Sequence, residues 1–147
     1  MADHRAEQIM AAVTTAVTGL ATTGANVQRG RVYPWGNDQA HAISVYQGDA
    51  EAGLEQNFAQ KTVALTVNIV AHVKTVADQV DTHLNQVAKE AYIAIMADRT
   101  LALPFVIDTD WRGSSAPDTD GNAEATHGRQ EHQFIVIYRH SSADPSQ

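Results

Sequence analysis

From Thr62 to Val73 the side chains alternate in character without a break. Val63, Leu65, Val67, Ile69, Ala71 and Val73 fall on one side, and Thr62, Ala64, Thr66, Asn68, Val70 and His72 on the other. Successive strand residues point to opposite faces, so this segment predicts a sheet with one packed face and one partly wet face.

Two segments carry the helical period instead. Ala6, Ile9, Met10, Val13, Val17 and Leu20 recur at spacings of three and four, which marks one face of a helix near 3–20. Asp3 stands where an N-cap carboxylate could take up first-turn amides. Thr14, Thr15, Thr18 and Thr22 weaken the local propensity, so this helix must lean on tertiary packing. Gly19 and Gly24 bracket its end. The second stripe is Val76, Val80, Leu84, Val87, Ala91 and Ile95, opened by Thr75 with Asp78 three positions on as a capping box, and predicts a helix over 75–97.

Val27 to Tyr33, Ala42 to Gln47, Phe105 to Asp108 and Gln133 to Tyr138 read as further strands, and Pro34 to Asp38 as a turn. Gly48 to Gln60 reads as an acidic loop. Gly113 to Gln130, rich in Gly, Ser, Pro, Asp and Asn, reads as a long structureless loop. The expected architecture is an α+β domain: a mostly antiparallel sheet of four or five strands with two main helices packed on one face. One domain would span 1–140, followed by a polar tail over 141–147.

The 147 residues include no cysteine, which removes thiol catalysis, thiolate zinc sites and disulfide frameworks together. The net charge of −7, without a basic stripe, argues against a general nucleic-acid binder. The longest apolar run, Ala91 to Ala97, is far short of the about 20 residues a membrane span needs, and the polar start predicts no signal peptide. A soluble protein made in the cytoplasm is expected.

The densest potential metal ligands are Glu124, His127, Glu131 and His132, but a glycine-bearing loop is a poor holder of tetrahedral geometry, and polar loop and strand-edge residues are the better reading. Asp118-Thr119-Asp120-Gly121 with Glu124 is only a fragment of a calcium-loop pattern. Asp108 and Asp110 add to that acidic cluster, and a solvated turn explains it better. His72 and His83 read as surface histidines. No nucleophile–base set and no phosphate loop can be placed. No catalytic residue, cofactor or metal is therefore expected, and no enzyme. Tyr33, Trp35, Phe58 and Trp111 lie at strand ends or in loops, where aromatics either close the core or meet a partner.

The order of these pieces resembles the tail terminator family of long-tailed bacteriophages, the minor tail protein U type. The resemblance runs from Arg5-Ala6-Glu7-Gln8-Ile9 through Gly19 to Val27, then Arg31-Val32-Tyr33-Pro34 and Ile43-Ser44-Val45-Tyr46. It continues over the long alternating strand and the following helix and closes on Phe134-Ile135-Val136-Ile137-Tyr138. Where family members often carry Leu-Pro before the second strand, this chain has Ala40-His41. The resemblance implies a virion structural protein at the head-proximal end of the tail. It would be a homo-hexameric ring that docks on the tail tube protein, stops tube polymerisation and presents the surface for head–tail joining. Its partners would be other copies of itself, the tube protein and a connector or neck protein, with no membrane and no sequence-specific nucleic acid, only DNA passing through the ring. Loops of the family order on assembly, and Gly48–Gln60 and Gly113–Gln130 are the segments here that would do so.

A ring needs one patch to meet a different patch on its neighbour. Asp49, Glu51 and Glu55 make one acidic surface, and Arg29 and Arg31 are the close basic pair, so these are expected on opposite sides of a subunit contact, with Tyr33, Trp35, Phe58 and Trp111 as its aromatics. Rival readings are a head–tail connector or neck ring subunit and, from another class, a small-ligand or metal-binding protein built on the 108–132 region.

Overall fold

A computed structural model of the chain describes residues 3–30, 41–53, 59–75, 79–121 and 126–147. Its elements run α1 (Arg5–Val17), β1 (Val27–Arg29), β2 (His41–Ala52), β3 (Gln60–Thr75), α2 (Val80–Met96), β4 (Val106–Ser114), β5 (Asp118–Gly121) and β6 (Thr126–Ser141). The strands form one sheet in the order β1-β2-β3-β6-β4, with β5 pairing β6 beyond the end of β4.

The expected α+β domain with a mostly antiparallel sheet of four or five strands is overturned. About half of the described residues are in strands and about a quarter in helices, and the sheet is six-stranded and mixed. β1 runs parallel to β2, with Val27 opposite Ile43 and Arg29 opposite Val45. Parallel neighbours in sequence require a crossover rather than a tight turn. The turn expected at 34–38 lies outside the described residues. The extra strand comes from the segment read as a loop. Gly113 and Ser114 finish β4, Asp118–Gly121 forms β5, and β6 starts at Thr126, so the described residues of 113–130 are mostly in strands, β5 antiparallel to β6. β5 is exposed at every position, so no apolar alternation betrays it; its ladder to β6 holds it instead. Likewise β2 continues through Gly48–Ala52, read as loop, because β3 pairs with it there across a bulge between Gln47 and Ala50.

β3 and β6 form the spine, paired without a bulge from Gln60↔Ser141 to Thr75↔Thr126. At about 3.4 Å per residue this ribbon is on the order of 50 Å long. Its inner face, Val63, Leu65, Val67, Ile69, Ala71 and Val73 from β3 with Phe134, Val136 and Tyr138 from β6, is buried. The core is closed by Ile9, Met10, Val13 and Val17 of α1 and Val80, Leu84, Val87, Ala91 and Ile95 of α2.

Helix boundaries differ in detail from the periodicity. α1 is capped by His4, whose Nδ1 accepts from the Ala6 amide at 3.0 Å, rather than by Asp3. Thr75 remains in the ladder opposite Thr126, so α2 begins only at Val80, after Gln79, with no side-chain cap bond. Gly19 and Gly24 both have positive φ, 83° and 54°, as the turn after α1 requires. That turn is tied to α2: the Thr22 amide and hydroxyl donate to the two Glu90 carboxylate oxygens at 3.1 and 2.9 Å. The 141–147 segment folds back, with Pro145 O accepting from the Arg5 amide at 3.1 Å and Ala59 O from the Ser142 amide at 3.0 Å.

Candidate functional site

The helical stripe of α2 leaves two large apolar residues off its buried face, Tyr92 and Ile93. β4 leaves two more, Ile107 and Trp111. These four are the exposed large hydrophobics among the described residues, and all belong to α2 or to the neighbouring outer strand. Tyr92 and Trp111, 42% and 43% exposed, meet edge to face with centroids 6.2 Å apart and planes at 79°. Tyr92 also reaches Phe134 at 6.2 Å. Aromatic contacts of this kind hold rings in place without burying them.

Between α2 and the β4–β6 pair lies a cleft of about 300 Å³ lined by these rings together with Asn85, Lys89, Gln130 and His132. Gln130 and His132 face the helices because even-numbered residues of β6 point inward. Both are more than nine-tenths buried, at 8% and 7% exposure. Gln130 Nε2 donates to Ser115 O at 2.9 Å, which fixes the amide and leaves Oε1 without a partner. His132 Nε2 is also buried without a partner. Desolvation holds the His132 imidazole below its ordinary value of 6.5, so the ring is neutral at neutral pH.

The outer margin of β4 is chemically finished. Arg139 N donates to Phe105 O and Ser115 N to Glu131 O, so odd residues of β6 bond toward β4. Asp108 and Asp110 lie opposite Ile137 and Ile135. The amides of Thr109 and Trp111 therefore face away from the sheet. They donate instead to the Asp108 and Asp110 carboxylates, at 2.9 and 3.0 Å. Arg99 grips Asp108 with two bonds, at 2.6 and 2.9 Å, and stands 3.9 Å from Asp110. The Arg99 guanidinium is the main reason the Asp108 carboxyl sits below the usual range.

The residues expected at a subunit contact do not converge. Arg29 ends β1 at one margin of the sheet, and Trp111 is on β4 at the other, with β2, β3 and β6 between. Asp49 and Glu51 are exposed at the far end of β2, four and six residues beyond the Val45 that faces Arg29. Arg29 is already engaged within its own chain: its guanidinium holds both Glu7 oxygens, Nη2 to Oε2 at 2.7 Å, which lowers the Glu7 carboxyl and raises Arg29. Arg31, Tyr33, Trp35, Glu55 and Phe58 lie outside the described residues. The potential metal ligands are dispersed too. Strand alternation puts His127 and Glu131 on one face and His132 on the other, Glu124 lies outside the described residues, and among those described no three His, Asp or Glu side chains form a metal-like group. His83 is not free at the surface but stacks on His41, centroids 5.4 Å apart. No helix among the described residues is long and apolar enough to cross a membrane.

Of these cleft residues the sequence singled out His132, as a potential metal ligand only, and Trp111 as a loose aromatic; Gln130, Tyr92 and Phe134 were not signalled as site residues. The readable hint was Tyr92 and Ile93 standing off an otherwise regular apolar stripe.

No protein-family model and no curated protein matches the sequence. In three dimensions the chain matches a chain of the "virion of native gene transfer agent (GTA) particle" with a TM-score of 0.57 and 13% identity, covering 90% of this chain and 95% of that one. Likeness at that identity establishes a shared fold.

Proposed function

We propose that this chain is a structural protein of a phage-like virion, and that its copies close into a ring that caps the completed tail tube. The carrying observation is the fold shared over 90% of its length with a chain of a gene transfer agent virion. The finer assignment rests on the resemblance of the order of sequence elements to that of tail terminators. The ring, taken as a hexamer, would stop tube polymerisation, offer the joining surface to a connector or neck protein, and leave DNA a central passage. The chain would act through surfaces, with no reactive centre.

The two margins of the sheet suit such a ring, because they are unlike. One offers Arg29 and the acidic end of β2 with Asp49 and Glu51; the other offers Trp111. Unlike margins favour a head-to-tail contact over a two-fold one. Arg31, Tyr33, Trp35, Glu55 and Phe58 belong to the same proposed contact. Since Arg29 is satisfied by Glu7, Arg112, exposed beside Trp111 with no ion pair among the described residues, is the better cation for a neighbour's Asp49 and Glu51.

Electron microscopy of particles made without this protein tests the reading. Overlong, irregular tails are expected. Tails of normal length on leaking heads would place the chain in the neck ring instead, and normal particles would overturn the virion role. A strict monomer in the presence of tail tubes would overturn the ring.

A further inference from the structure

Leu101 and Ala102, consecutive in the corner between α2 and β4, both hold φ at 54°. They are the non-glycine residues with positive φ among the described ones. Left-handed backbone is uncommon outside glycine, because the Cβ crowds the following carbonyl oxygen, and two such residues in a row store that strain twice. Strain of this kind persists only where the surrounding bonds over-determine it. Asp98 supplies those bonds. Its Oδ1 accepts from the Thr100 amide at 3.0 Å and the Thr100 hydroxyl at 2.6 Å, and its Oδ2 accepts from the Ala102 amide at 3.0 Å. Its carbonyl accepts from the Leu101 amide at 2.9 Å, and Thr100 O accepts from the Leu103 amide at 3.0 Å.

All of these bonds stay within 98–103, and Asp98, Thr100 and Ala102 are exposed. The turn is tied to the rest of the fold by the partial burial of Leu101 and Leu103, by the Val106 amide on Leu103 O at 3.1 Å, and by the Arg99 guanidinium on Asp108. The last is an exposed ion pair, which holds little in water. Segments with few buried contacts and exposed backbone bonds are those that open ahead of the whole. We propose that 98–103 is a latch: it opens as one unit while the sheet and both helices stay folded. Its opening uncovers Leu101 and Leu103, which lie in the chain between the already exposed Ile93 and Ile107. Arg99 travels with the latch and parts from Asp108 in the same event, so the opening reaches the β4 margin that Asp108 guards.

The test is amide hydrogen exchange of the full chain read by NMR, joined to thiol labelling of Leu103→Cys, whose thiol is the sole one because the sequence has no cysteine. The Leu101, Ala102 and Leu103 amides should share one protection factor, far below that of the β3–β6 ladder and unmoved by low urea. Ala102→Gly removes the left-handed penalty at one position and should raise all three protection factors together severalfold. Asp98→Ala removes the carboxylate bonds and should lower all three by at least about tenfold. Leu103→Cys should label faster than global unfolding permits, and adding Ala102→Gly to that chain should slow the labelling. If Asp98→Ala fails to fold, the two Ala102→Gly readings still decide. Protection equal to that of the ladder, three unrelated protection factors, labelling only at the global unfolding rate, or no effect of Ala102→Gly overturns the latch.

Discussion

Gly128 of β6 lies directly beneath Val80, the first residue of α2: a Cβ at Gly128 would stand 2.2 Å from Val80 Cγ1 and 3.1 Å from Leu84 Cδ1. The neighbour is a short, stiff β-branched side chain on a helix, so it cannot swing aside. Gly128→Ala should therefore destabilise the fold by about 1–3 kcal/mol in urea unfolding. Adding Val80→Ala should recover part of the loss, because it removes the atom in the way. Additive losses in the double variant would show that the approach is not what makes the glycine necessary.

Acid should weaken the fold in two stages. His132 is depressed by burial, so below its ordinary 6.5 the unfolded chain binds a proton that the folded chain refuses. Stability from this source is complete above about 6.5 and falls as pH drops below it, by at most about 1.4 kcal/mol per pH unit. Glu7, Asp98, Asp108 and Asp144 are held low by hydrogen bonds, and in Glu90 the bonds from Gln86 and Thr22 outweigh the upward push of desolvation. Their contribution is present above the ordinary values of 4.5 for Glu and 3.8 for Asp and is lost as pH falls through the lower folded values. Urea midpoints from pH 8 to 3 should show both declines, and His132→Gln should remove the upper one alone. A profile flat between pH 7 and 5 in the wild-type chain would contradict the buried neutral imidazole.

Trp111→Ala should separate folding from assembly. The ring is half exposed and its main intramolecular contact is Tyr92, so the isolated chain should lose only about 1 kcal/mol. A central aromatic of a subunit contact loses about 2 kcal/mol or more on truncation, roughly a thirtyfold change in affinity. Sedimentation of the variant with tail tubes should show that loss. Wild-type association by a stable variant would remove Trp111 from the contact.

Asp108→Ala with Asp110→Ala should expose the outer margin of β4. The change frees the outward amides of Thr109 and Trp111 and strips the charge that discourages an incoming strand. Light scattering should rise with concentration while the circular dichroism of the folded chain persists. Scattering equal to that of the parent chain would mean the carboxylates do not guard that edge.

Much of the interior was readable because one-sided burial writes a period. Val63 to Val73 gave the inner face of β3, and Val80, Leu84, Val87, Ala91 and Ile95 the buried face of α2, each as the alternation or stripe implied. β5 left no such trace, since a strand exposed at every position needs only backbone partners and tolerates Asp and Gly, and the start of β6 left none because the residues it buries, Gly128 and Gln130, are not apolar side chains. The direction of β1 was hidden as well, because pairing polarity depends on the connection and not on the strand's own residues. At the candidate site, Trp111 was visible as a loose aromatic, but its partners Tyr92, Gln130 and His132 come from elements distant in sequence. Only the register of β6 beside α2 brings them together. The expected match of Arg29 to a neighbour's acids failed to anticipate Glu7, which one turn of α1 places within reach.

Because every residue of β3 from 60 to 75 is matched to one of β6 from 126 to 141, tension applied along that ribbon would be shared by the whole ladder at once. Rupture would demand that many bonds yield together, instead of peeling one after another from an end. The chain would thus be stiffest along a single axis, the one that β3 and β6 define.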